Sequence, residues 1–181
     1  MVSLTPSVLN LDDLASGMPG ITPEYGASLS QAAQVCLDDQ NHSSGVDLRI
    51  DGDYNRSLLV IWSRQMDDQI RRTWAEHEYT TEQGAYGIAA LLIIKLTDLI
   101  ILERSRRGTG FDYWLGQADS SDLLFQNKSR LEVTGIRSGG EAELRSRMNK
   151  KINQVEKFDY SIPAYIIVVE FSRPQSRIKK Q

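Results

Sequence analysis

Apolar residues recur along this chain with two spacings, about 3.6 and about 2, and the switches between them outline its elements. Residues 1–20 carry turn formers (Pro6, Gly17, Pro19, Gly20) among scattered leucines and read as an arm that packs on a partner or on its own core. Thr22, Pro23 and Glu24 then supply an N-cap, a proline at the first helical position and an acid in the first turn, so a helix is expected to about Asp39. Val46, Leu48 and Ile50 alternate with Asp47 and Arg49, residues 57–62 form a short apolar run, and Asp51, Gly52 and Asp53 between them predict a hairpin. Met66, Ile70 and Trp74 recur at i, i+4 and i+8, which predicts a helix from Arg64 to near Glu78.

From Thr80 the pattern changes. Thr80 and Gln83 have the spacing of a capping box before an almost wholly apolar helix, residues 85–96, in which Gly84 and Gly87 permit close packing. A helix apolar on all sides is central to its fold. Three strand-like segments follow at 99–103, 111–115 and 130–136, the first two joined by a turn at Gly108 and Gly110 and so expected to pair antiparallel. Leu144, Met148, Ile152 and Val155 make one buried stripe of a helix over 141–157, which leaves Arg145, Arg147, Lys150 and Lys151 largely towards solvent. After Pro163, residues 164–171 are a continuous apolar run of the kind an interior strand carries. The order from Thr80 is helix, strand, strand, strand, helix, strand.

Composition and charge narrow the function. Apolar residues make up 40% and charged residues 25% of the 181 positions, as in an ordinary folded protein. Cys36 is alone, so neither an internal disulfide nor a zinc knuckle is available, and it reads as a structural thiol on a helix face. The first residues have no basic or apolar region of signal-peptide type, and the longest apolar stretch, 88–102, is broken by Lys95 and Asp98; a cytoplasmic chain with no membrane association is expected. His42 and His77 have no neighbouring nucleophile or third ligand, and Gly108 and Gly110 lack the following helix of a phosphate loop. Residues 1–136 hold 11 Lys/Arg against 19 Asp/Glu, whereas 137–181 hold 10 against 5. The basic end suits a nucleic-acid backbone or an acidic protein surface, through Arg145, Lys150 and Lys151. Its plain alternative is a solvated helix face and a frayed tail.

Two carboxylates stand inside predicted strands, Asp112 in 111–115 and Glu132 in 130–136. A charge there is costly unless it is paired, solvated or bound to a metal. Glu132 and Thr134, two apart, share a strand face, while Leu131 and Val133 face the core. If the strands are neighbours, Asp112 and Glu132 converge, and two carboxylates with a carbonyl and water suit Mg²⁺ or Mn²⁺.

The helix, strand, strand, strand, helix, strand order over residues 80–171, with Asp112 in the second strand and Glu132 followed by Thr134 in the third, resembles the PD-(D/E)XK nuclease superfamily. That resemblance implies an α/β restriction-endonuclease-like core, a mixed sheet flanked by helices, in residues 80–181 with a basic C-terminal tail. Residues 1–79 are then an arm, helix and hairpin elaboration packed on it. It implies a metal held by Asp112 and Glu132, with Glu82 matching an acid that some members carry on the first helix. Asp112, Glu132 and Thr134 would be the catalytic set, with Thr134 where the family has lysine and Lys150, Lys151 or Lys128 as substitutes for that ammonium. The function implied is a metal-dependent nuclease, or nuclease-derived subunit, acting on DNA in a prokaryotic DNA-processing or antiviral defence system. The alternative is a catalytically inactive scaffold or regulatory subunit, working with a protein partner or as a homo-oligomer. Each acid also has a plainer reading: Asp112 as an edge-strand or turn residue, Glu132 as the partner of Arg104, Arg130 or Arg137, and Glu82 as a first-turn acid on the helix dipole.

Overall fold

The computed structural model describes residues 7–118, 128–157 and 161–181. Among them, eight strands are β1 (Val8–Asn10), β2 (Val46–Gly52), β3 (Arg56–Ile61), β4 (Ile100–Arg104), β5 (Tyr113–Gly116), β6 (Ser129–Ile136), β7 (Ala164–Glu170) and β8 (Gln175–Lys180). They form one mixed sheet in the order β1-β3-β2-β8-β7-β6-β5-β4. Helices α1 (Pro23–Asp38), α2 (Asp68–Thr73), α3 (His77–Leu96) and α4 (Glu141–Val155) complete the α/β architecture.

Alternation along β7 shows why the sheet is covered on both sides. Tyr165, Ile167 and Val169 enter the larger core with α1 and α3, whereas Ala164, Ile166 and Val168 enter a smaller one with Leu144, Met148 and Val155 of α4. Every residue of β7 is buried, as its continuous apolar run predicts. α3 is buried around most of its circumference because it is wedged between α1 and the sheet. Gly84 and Gly87 make this possible: a Cβ on Gly84 would lie 3.0 Å from Cys36 Sγ, and one on Gly87 3.1 Å from the Leu29 carbonyl oxygen. Gly135 does the same for the contact of α3 with β6, where a Cβ would stand 2.5 Å from the Thr81 carbonyl oxygen. Cys36 is fully buried beside Thr80, and burial pushes its thiol up to about 12.

Several expectations are corrected. Part of the arm is core: β1 pairs in parallel with β3, Leu9, Leu11 and Leu14 are buried, and a 3₁₀ turn spans Leu11–Ser16; residues 1–6 lie outside the described residues. The helix expected from Arg64 to Glu78 is only α2, because Asp67 caps its start by accepting from Ile70 N at 2.8 Å and the chain turns at Trp74. α3 then begins at His77 and is capped by Glu76, so Thr80 lies inside the helix, its hydroxyl donating to the Trp74 and Glu76 carbonyls. The basic tail is strand β8, placed between β2 and β7 near the middle of the sheet. Its charges are compensated there: Arg177 donates to Asp51 at 2.6 and 2.9 Å and to Glu141 at 2.7 Å, and Lys179 to Asp53 at 2.9 Å. No helix among the described residues is long and apolar enough to cross a membrane.

Candidate active site

β5 begins one residue after Asp112, and Tyr113 pairs with Leu131, which sets Asp112 opposite Glu132 across adjacent antiparallel strands. Asp112 is held from both sides: its N–H donates to the Leu131 carbonyl at 2.8 Å, and its Oδ2 accepts from Val133 N at 2.8 Å. Beyond this point β6 runs on without β5 beside it. The opening is a cleft of about 470 Å³ bordered by the first turns of α3 (His77, Glu82), the end of β6 (Val133, Thr134, Gly135) and α4 (Arg147, Lys151). A second cleft, of about 500 Å³, lies on the hairpin side and shares Glu82, Asp112 and Lys151 with the first.

The sequence-derived acids therefore meet. Tyr86, one turn after Glu82 on α3, has its hydroxyl 2.7 Å from Glu82 Oε1 and 2.9 Å from Asp112 Oδ1. Glu132, 4% exposed, forms an ion pair with Lys151 Nζ of α4 and accepts from Gln154 Nε2 at 3.3 Å. This corrects two expectations. The partner of Glu132 is Lys151 and not an arginine: Arg104 donates to the Tyr25 and Tyr113 hydroxyls, Arg130 to the Ile162 carbonyl, and Arg137 to Asp39. Lys151 does not face solvent, because it lies on the stripe of Met148 and Val155, three residues after the first and four before the second. The helix-dipole reading of Glu82 also falls, since α3 starts five residues earlier and the effect is confined to the first turn. Arg145 and Lys150 are exposed and line neither cleft; Arg145 is 3.8 Å from Glu141.

Burial governs the electrostatics. Burial, and then the charge of Asp112, push the Glu132 carboxyl up to about 7, against the pull of Lys151 in the other direction. Asp112 is raised as well, by burial first and by Glu82 further down, while the Val133 N–H, the Tyr86 hydroxyl and Lys151 oppose the rise. Tyr86 is raised by burial and by Asp112, so its phenol stays protonated. One phenolic proton cannot serve two carboxylate oxygens at once; the second contact is complete only with another proton or a cation nearby.

Among the described residues, no group of three or more His, Cys, Asp or Glu side chains converges as a ready-made metal cage. The donor chemistry nevertheless fits a hard divalent cation. Asp112, half-buried, and Glu132, buried, share the Lys151 ammonium and both have raised pKa, Glu82 lines the same clefts, and Mg²⁺ takes one or two carboxylates while keeping several waters. Sequence reasoning missed Tyr86, Gln154 and the arginines of the β4–β5 turn. The first two had a signal, one at i+4 from Glu82 and the other at i+3 from Lys151. Comparison with protein-family models, curated proteins and solved structures finds no match to this chain.

Proposed function

We propose that this chain is a metal-dependent nuclease of PD-(D/E)XK type acting on DNA, with Lys151 replacing the ammonium that the motif carries at the position of Thr134. The observation that carries this reading is Asp112 opposite Glu132 on adjacent strands, with Lys151 of the following helix on the Glu132 carboxylate. The element order from α3 to β7 supports it.

In this reading Asp112 and Glu132 would hold a Mg²⁺ or Mn²⁺ ion, with Glu82 beside them. Such an ion polarises a phosphodiester and lowers the pKa of an attacking water. Tyr86 fixes Asp112 and Glu82 relative to each other, and Gln154 fixes Glu132. Lys151 supplies positive charge for the phosphoryl oxygens where negative charge develops. The raised pKa of Glu132 in the metal-free site makes cation binding there compete with protonation near neutral pH. Thr134, on the same strand, lines the cleft and contributes a hydroxyl that can orient water.

The scaffold reading has one observation in its favour: no closed ligand set is present among the described residues. Cleavage separates the two. Supercoiled plasmid incubated with the purified chain is expected to be nicked with Mg²⁺ or Mn²⁺ and left intact with chelator, and Asp112→Ala and Glu132→Ala are each expected to abolish nicking. Cleavage surviving both substitutions removes this site as the active one. No cleavage at all by wild type, with metal bound, leaves the scaffold.

A further inference from the structure

We propose that the β4–β5 turn is a grip for the phosphodiester backbone of DNA, made by Arg106 and Arg107; this rests on the nuclease reading for the identity of the polyanion. Both arginines are exposed and border the cleft that contains Glu82, Asp112, Glu132 and Lys151. Among the described residues neither guanidinium has a hydrogen-bond or ion-pair partner, in contrast to Arg145, Arg147, Arg177 and Lys179, each of which has a carboxylate within 4 Å. Arg106 and Arg107 thus stand unpartnered at the rim of the cleft that holds the carboxylates, whereas Arg145 and the equally unpartnered Lys150, on the face of α4 that the sequence pointed to, line neither cleft.

The turn is also fixed in place. Ser105 N donates to the Asp112 carbonyl at 2.8 Å, Thr109 Oγ1 to the Arg106 carbonyl at 2.9 Å, and the Ser105 and Thr109 hydroxyls bond to each other. Gly108 and Gly110 take φ of +91° and +81°, a region that favours glycine and closes the loop tightly. Gln154 joins this turn to the acidic centre, donating to the Gly110 carbonyl at 3.1 Å and to Glu132 at 3.3 Å. Two forked, unpartnered guanidiniums at a set distance from carboxylates suit a chain of phosphates, one held by the arginines while its neighbour lies over the carboxylates. An acidic protein segment offers no such regular spacing.

The test is the salt dependence of binding, read by fluorescence anisotropy on a labelled DNA duplex with chelator present so that nothing is cleaved. Each phosphate contact contributes about 0.9 to the slope of log K against log salt. R106A/R107A is expected to lower that slope by about 1.8, equally for two unrelated sequences, with an unchanged circular dichroism spectrum. R106K/R107K is expected to restore most of it, and R145A/K150A to leave it as in wild type. The proposal is overturned by wild type that does not bind duplex even at low salt, by a slope unchanged in R106A/R107A, or by an equal loss in R145A/K150A. It is also overturned if polyglutamate competes as well as unlabelled DNA. Failure here is separate from failure of the nuclease reading. A chain that binds through the turn and never cleaves keeps the grip and loses the nuclease, whereas one that cleaves while R106A/R107A binds as wild type loses only the grip.

Discussion

Replacing Glu132 with glutamine removes a charge and keeps the shape, and its effect on stability has a sign that depends on pH. The folded-state pKa of Glu132 is raised from the ordinary 4.5 to about 7. Between these values the folded state binds more protons than the unfolded state, so the contribution of Glu132 is most favourable below pH 4.5 and is lost as pH rises towards 7. At about 1.4 kcal/mol per tenfold change in proton affinity, the ionised carboxylate costs the fold about 3 kcal/mol above neutrality. Glutamine takes away that cost but leaves Lys151 without its partner on Glu132, which offsets part of the gain; Asp112 remains as a charge for Lys151. The net expectation in metal-free buffer is stabilisation by about 1–2 kcal/mol at pH 8, a rise of about 2–8 °C in Tm for a domain of this size. At pH 4.5, where Glu132 is already protonated, the variant is expected within about 0.5 kcal/mol of wild type or slightly below it. Urea denaturation followed by tryptophan fluorescence at both pH values measures this. A variant less stable than wild type at pH 8, by more than at pH 4.5, would refute the reasoning, since it would mean that the ion pair with Lys151 outweighs the burial of the carboxylates.

Lys151→Ala is expected to slow cleavage by about 10²–10³ and to move the acidic limb of the pH–rate profile to higher pH, because the ammonium that holds Glu132 down is gone; steady-state plasmid nicking across pH checks both. Tyr86→Phe deprives the Glu82 and Asp112 oxygens of their shared hydroxyl, and is expected to destabilise the chain by about 1–3 kcal/mol at neutral pH, with a further rise in the Asp112 pKa detectable by carboxyl-carbon NMR titration.

Much of this fold is legible in local pattern. The cap at Thr22, the alternation in β2 and the short apolar run of β3 each carry their physics within a few residues, as does the unbroken apolar run of β7. β8 is the counterexample. Gln175, Ser176, Arg177, Lys179 and Lys180 make it look like a solvated tail, and it becomes an interior strand only because β2 brings Asp51 and Asp53 alongside to receive Arg177 and Lys179. That pairing spans more than a hundred residues and has no local trace. Met66 and Trp74 failed for the opposite reason: their helical spacing was real, but the caps at Asp67 and Glu76 decided the boundaries. At the site, Asp112 and Glu132 were visible as charges in strands. Lys151 was visible too, since helical periodicity puts it on the inward stripe with Met148 and Val155, but its charge suggested solvent. The arginines of the β4–β5 turn show themselves only once the fold brings that turn beside Asp112 and Glu132.

Under the proposed function, Asp112 and Glu132 together hold one divalent cation. Crystals of the chain soaked in Mn²⁺, with diffraction recorded for manganese anomalous scattering, test it most directly. A single anomalous peak is expected between the two carboxylates in wild type, with Lys151 moved off Glu132, and no peak there in Glu132→Gln. A wild-type map with no peak at this position, and Lys151 still on the Glu132 carboxylate at saturating Mn²⁺, would contradict it.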